Sequence, residues 1–249
     1  PSQTPTPTAT ITPTPSKTPL NTLEPNEAEE AIRKLLQEPV DCAAPCFWGI
    51  TPGKTTLEEA GEIFSHFGLP LSVPNTYRGK DFSGTHFEFD SGLEPSVTLT
   101  IQDNIVVNIH IRITPEKQEV GVRREWSAYS PETLIERYGP PTRVDFGVDW
   151  GPYVSFAMQI YYDELDLIIQ YYGDNIIPGN PEPSLMCPLA IKFDAVWLWL
   201  GENPVSPPGL GVPLDVVTSL TIDEFAQLMI GDPDAACFVF DGNAYPIER

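Results

Sequence analysis

The sequence predicts an α+β fold: tandem helix–antiparallel-sheet repeats followed by a C-terminal α/β segment closed by a disulfide. Three observations carry this expectation. Two stretches of helical periodicity end in similar stops, Phe67-Gly68-Leu69-Pro70 and Tyr138-Gly139-Pro140-Pro141. Each stop is followed by runs that alternate apolar and polar residues at period two, the mark of half-buried strands. Cys187 and Cys237 bracket the last segment.

Residues 1–25 read as a stalk or tail. The first 19, PSQTPTPTATITPTPSKTP, hold 15 Pro, Thr or Ser. Proline blocks helix and central strand and leaves polyproline II, so the tail would reach about 60 Å at ~3.1 Å per residue. Such a mucin-like composition makes Thr4, Thr6, Thr8, Thr10, Thr12 and Thr14 candidates for O-glycosylation. Ala9, Thr10, Ile11 and Thr12 escape the proline pattern, and this segment is expected to add as a strand to a neighbour's sheet edge. An opening of Pro1-Ser2-Gln3 reads as a processed product whose upstream part held a signal peptide or an anchor.

Residues 26–115 form the first expected repeat. Asn26 is placed as the cap of a helix over 26–38, with Ala28, Ala31, Ile32, Leu35 and Leu36 on one face and Pro39 as its stop. Phe47-Trp48-Gly49-Ile50 is an aromatic anchor running into a turn. Thr55 or Thr56 caps a second helix through Glu58 or Glu59, with Leu57, Ala60, Ile63, Phe64 and Phe67 inward. Val97 to Ile101 then turns at Gln102-Asp103-Asn104 into Ile105 to Ile111, with Val97, Leu99 and Ile101 sharing a face.

Residues 116–185 are expected to repeat the plan about 70 positions later, as an internal duplication would. Ser130 precedes Pro131 at the first position of a helix through Leu134, Ile135 and Tyr138. Ser155 to Tyr161 turns near Asp163-Glu164 into Leu165 to Tyr172. The last segment, 186–249, starts with a strand-like run from Leu189 to Leu200. A helix capped by Thr221 and a final strand at Ala236 to Phe240 follow.

Cys42, Cys46, Cys187 and Cys237 allow three pairings. Pairing near neighbours gives Cys42–Cys46 as a local staple and Cys187–Cys237 as a closure. The chain-entropy account assigns these loops roughly 2 and roughly 4 kcal/mol. A four-thiolate zinc site would need a second close pair, which is missing.

Charge excludes more than it identifies. With 14 Lys+Arg against 35 Asp+Glu, the net charge is -21, and too few basic residues remain to neutralise a phosphate backbone, so nucleic acid is not expected as a partner. No apolar run is long enough for a transmembrane segment. His66, His86 and His110 lack metal-ligand spacing, Ser91-Gly92 is not a nucleophile elbow, and oxidised cysteines are poor nucleophiles. No cofactor is expected; calcium is weighed through Asp232, Asp234 and Asp241, whose spacing is not that of an EF-hand. Trp48, Trp126, Trp150, Trp197 and Trp199, with Tyr161, Tyr162, Tyr171 and Tyr172, would pack the core, meet a protein or stack on sugars. Adjacent tyrosines on a strand point to opposite faces, so each pair is expected to turn one ring outward.

Gly49-Ile50-Thr51-Pro52-Gly53-Lys54-Thr55-Thr56 with Phe67-Gly68-Leu69-Pro70, and Ser130 to Pro141, resemble the tandem fold of β-lactamase-inhibitor proteins and of SmpA/OmlA-type outer-membrane assembly lipoproteins. The likeness spans about two-thirds of the body and implies a non-enzymatic scaffold whose sheet faces and loops bind proteins. The stalk followed by a Cys-Pro-Cys-aromatic opening also resembles exported proteins of filamentous thermophilic bacteria. The expectation is therefore a non-enzymatic, extracellular or cell-surface structural or protein-interaction module. Its partner is itself, as a homo-oligomer or filament built through the tail, or another surface protein. The alternative is a stalk-tethered solute-, glycan- or cation-binding domain.

Overall fold

Helices start where side chains satisfy their first backbone N–H groups, and the computed structural model shows this at each capped end. It describes residues 21–38, 42, 44–77, 80–86, 94–114, 127–150, 154–174, 184–186, 195–202, 211–231 and 237–241. Helix α1 (Pro25–Gln37) begins with Pro25, whose fixed φ suits the first helical position. Its cap is therefore Glu24, whose N–H donates to Glu27 at 3.2 Å, and Asn26 falls inside the helix rather than capping it. In α2 (Leu57–His66), Thr56 Oγ1 accepts from the Glu59 N–H at 3.1 Å and Glu59 answers through the Thr56 N–H at 3.0 Å. Ser130 caps α3 (Pro131–Tyr138) as expected. After the short α4 (Leu214–Val217), Thr221 and Glu224 form the same reciprocal box on α5 (Ile222–Met229).

The strands are β1 (Asn75–Tyr77), β2 (Lys80–His86), β3 (Glu94–Gln102), β4 (Ile105–Thr114), β5 (Arg143–Trp150), β6 (Val154–Tyr162), β7 (Leu167–Asp174), β8 (Ser184–Met186), β9 (Ala195–Gly201), β10 (Val212–Pro213) and β11 (Phe238–Phe240). Nine of them form one antiparallel sheet in the order β1-β2-β3-β4-β9-β7-β6-β5-β10, and β8 pairs with β11 apart from it. Asp103 and Asn104 both take positive φ, 51° and 64°, as the tight hairpin turn between β3 and β4 requires.

One face of this sheet carries the core. Directly paired residues share a face, so the register row Val97–Ile111–Leu198–Ile169–Ile160–Val144 crosses six strands on one side. All six are buried in the main cluster, which also takes Ile32 and Leu36 of α1, Phe64 of α2, Leu134 and Ile135 of α3, and Phe225 and Met229 of α5. The helices therefore cover this face.

The fold is thus α+β and dominated by its sheet. The duplication finds no support in this topology. The meanders β2-β3-β4 and β5-β6-β7 approach β9 from opposite sides, and β4 and β7 both run antiparallel to it. With helices on the same face, the two halves have opposite hands, and no rotation superposes them. Nor does the stretch after residue 186 stand by itself: β9 is the central strand of the sheet, and β10 lies at its edge.

Cys42 and Cys46 form the expected disulfide, with Cα atoms 5.4 Å apart, next to a cis Ala44–Pro45 bond. The Ala44 N–H donates to the Tyr138 hydroxyl at 3.2 Å, tying this loop to α3. Cys237 is also disulfide-bonded, while Cys187 lies outside the described residues. So do the tail segment Ala9–Thr12, the glycosylation candidates Thr4 to Thr14, and Asp232 and Asp234. Among the described residues no helix is long and apolar enough to cross a membrane.

Candidate functional site

Residues that alternate with the core positions face the other side of the sheet, where two adjacent register rows place polar and aromatic groups together. One row is Arg112–Trp197–Gln170–Gln159–Asp145; the next is His110–Trp199–Ile168–Tyr161–Arg143. Tyr161, Ile168 and Trp199 form a second buried cluster with Trp197 packed against it, and its members come from strands alone.

The planar groups form two stacks joined through Ile168. His110 lies flat on Trp199, 5.1 Å between centroids and 9° between planes, and Trp197 meets Trp199 edge-on at 5.9 Å. The Arg112 guanidinium sits 5.5 Å from the centre of the Trp197 ring, and that of Arg143 only 3.8 Å from Tyr161. Each such cation–ring pair contributes about 0.5–2 kcal/mol, depending on how far it is desolvated. Arg143 also pairs with Asp145 at 3.2 Å. The Tyr161 hydroxyl donates to Gln159 Oε1 at 2.9 Å, and Gln159 Nε2 donates to Gln170 Oε1 at 2.9 Å.

Three buried atoms on this face, Trp197 Nε1, His110 Nε2 and Asp145 Oδ1, have no hydrogen-bond partner among the described residues. Leaving a buried donor or acceptor unsatisfied costs about 1–3 kcal/mol, so each of these atoms calls for a partner such as a water molecule or a ligand group. Burial pushes the Asp145 carboxyl above its ordinary range against the pull of Arg143. Burial, assisted by Arg112, holds the His110 imidazole below its ordinary value.

The lowered His110 value has a signed consequence. Between the folded value and about 6.5, the unfolded chain binds a proton that the folded chain does not, so stability is lost as pH falls through this window. Urea midpoints of the wild type should drop between pH 7.5 and 5.5 by more than those of His110→Gln. Parallel profiles for the two proteins would refute the assignment.

The other residues singled out in the sequence are scattered. His66 sits in the last turn of α2, its ring against the Asn21 carbonyl, and His86 is exposed on β2. Asp241 is exposed, and its N–H donates to the Val217 carbonyl at 2.8 Å; no cluster of metal-ligating side chains occurs among the described residues. Tyr162 and Tyr171 point into the helix-covered core, as alternation requires, and donate to the carbonyls of Gly139 and Tyr129. Their neighbours Tyr161 and Tyr172 face the other side, yet Tyr161 is covered rather than outward, because Arg143 lies over its ring. Trp48 is a core anchor: with Gly49 it forms a tight turn at φ 52° and 87°, clamped by Phe47, Phe64 and Phe67. Ser91, Gly92 and Trp126, and the side chain of Trp150, lie outside the described residues.

Two hollows lie elsewhere. A 30 Å³ cavity beneath the disulfide, between Trp48 and Tyr138, has room for about two waters at ~10–15 Å³ each. A 470 Å³ open groove separates α3 from α5.

Sequence reasoning named Trp197, Trp199 and Tyr161 but missed Arg112, Gln159, Gln170, Arg143 and Asp145. Their signal was weak: polar residues interleaved in strand runs look like solvent positions until register lines them up. No protein-family model, curated protein or solved structure matches this chain.

Proposed function

We propose that this protein is a non-enzymatic, exported surface module that works by binding protein, and that the stacked tract on the side of the sheet opposite the described helices is its contact surface. The carrying observation is that the exposed Arg112 and Arg143 and the half-buried Trp197 lie over the buried Trp199 and Tyr161 on one face. Trp, Tyr and Arg are the residues that concentrate energy in protein interfaces, and side chains already held by stacking lose little entropy on contact. Sugars would need free ring faces, but His110 covers one face of Trp199 and Arg143 lies on Tyr161, which favours protein over glycan. Export fits the Cys42–Cys46 disulfide, since such bonds persist in oxidising compartments.

Self-assembly is the version that also uses the Thr/Pro tail, through Ala9, Thr10, Ile11 and Thr12 added to the sheet edge of a second copy. A contact of that type is heterologous and propagates without closing, so it makes fibres. The test compares full-length protein, a form starting at Leu20, Ile11→Asp and Trp197→Ala by light scattering and electron microscopy. Assembly in the full-length chain alone supports tail donation, and loss in Trp197→Ala by about tenfold in critical concentration supports the face. Polymers that form equally in all four proteins would sink both contacts.

A further inference from the structure

Arg112, Trp197 and His110 sit together at one end of the stacked tract. Arg112 and His110 are two positions apart on β4 and on the same face, and Trp197 of β9 is paired directly with Arg112. The His110 and Trp197 rings are 6.2 Å apart, and the Arg112 guanidinium lies 5.5 Å from the Trp197 centroid. Arg112 is exposed, whereas Trp197 and His110 are half-buried around it. The indole N–H and imidazole Nε2 beside that guanidinium are buried and unpartnered among the described residues.

These groups make a set with one chemical preference. A guanidinium offers paired donors in a fork that matches a carboxylate, and its stacking on Trp197 holds the fork in place. An indole N–H donates only, and a neutral imidazole can present an N–H at Nε2. Desolvated donors of this kind attract an anion far more strongly than solvent-exposed ones. The net charge of -21 makes the notch a local exception, because anions are repelled by most of the molecule.

We infer that Arg112, Trp197 and His110 form a recognition notch for a side-chain carboxylate of an acidic polypeptide segment. The guanidinium takes the carboxylate through paired hydrogen bonds over the Trp197 ring, and the buried Trp197 N–H and His110 Nε2 lie beside the bound charge and respond to it. This deepens the protein-contact reading by naming the chemistry of the partner, and rests on it only for the choice of a polypeptide as the carboxylate's source. Charge complementarity selects an acidic occupant over an apolar or basic one, since the exposed end of the notch is a guanidinium.

The test is titration of the intact, oxidised protein with a hexaglutamate peptide at about 0.15 M salt, where repulsion beyond ~8 Å is screened. The indole N–H of Trp197 is followed by NMR and assigned by its disappearance in Trp197→Phe. The expected result is a saturable downfield shift with hexaglutamate and none with hexaglutamine. Arg112→Gln should weaken binding by about tenfold or more, and Arg112→Lys by less, since a point charge remains without the fork. Equal response to the two peptides, no saturable shift, or unchanged affinity in Arg112→Gln would overturn the notch. Loss of assembly in Trp197→Ala is read without the peptide, so either reading can fail while the other stands.

Discussion

Phe146→Ala should destabilise the protein by about 3–5 kcal/mol, the range for a fully buried phenylalanine cut to a methyl. Phe146 lies on β5, fully buried, at the meeting point of three other rings. Phe225 of α5 is 6.4 Å away, and Phe238 and Phe240 of β11 are 5.7 and 5.8 Å away, at interplanar angles of 77°, 61° and 76°. Edge-on ring pairs like these add about 0.5–1.5 kcal/mol each beyond the area they bury. The loss should therefore be local as well as global: amide protection in residues 238–240 should fall further than in β3 or β4. Urea denaturation gives the first quantity and hydrogen exchange the second. A loss below about 1.5 kcal/mol would mean that the β8–β11 pair is held mainly by something other than this ring.

Gly201→Ala is expected to be comparably severe for a different reason. Gly201 ends the central strand β9 with φ 112°, a region that side-chain-bearing residues rarely adopt. A Cβ there would lie 2.2 Å from the Val107 carbonyl oxygen and 2.7 Å from Asn108 Oδ1, so β4 would have to move away. Backbone strain of roughly 1–3 kcal/mol and a similar overpacking cost add to about 3 kcal/mol or more. Gly53→Ala is the control, because φ there is 76° but nothing lies within 4 Å of the added carbon. Both variants carry a positive-φ penalty, and Gly201→Ala adds the clash. Equal stabilities by thermal unfolding would show that β4 yields without cost.

The local level of this fold was legible in the sequence, and the long-range level was not. Thr221 reads as a cap and Thr56 as one of two candidates beside Thr55, because a capping residue and its partner lie three positions apart, and Pro131 marks the helix start that Ser130 caps. The Asp103-Asn104 turn was equally readable. Asn26 failed because Pro25 sets the first helical residue two positions earlier than the cap pattern alone suggests. Duplication was inferred from like stops after Phe67 and Tyr138, but a helix stop carries no information about the side from which the following strands join. The run around Trp197 and Trp199, apolar on both faces, announced a strand covered on both sides without saying which strands flank it. That pairing, with β4 and β7, creates the Arg112–Trp197–His110 notch. The site is thus a property of register, assembled from residues that are unremarkable singly.

The place of β9 in the sheet also sets an order of events. Ile111 and its partner Leu198 are about 90 positions apart in sequence, while Ile169 and Leu198 are about 30 apart. Closing the longer loop costs more chain entropy, so the β7–β9 contact is favoured first and the β4–β9 contact later. Until β9 is in place, β4 and β7 each present an open edge of backbone donors and acceptors, the kind of template on which chains aggregate. The late step expected for this protein is therefore the joining of β4 to a half-sheet that already holds β9, and refolding yield should fall with protein concentration until that seam has closed.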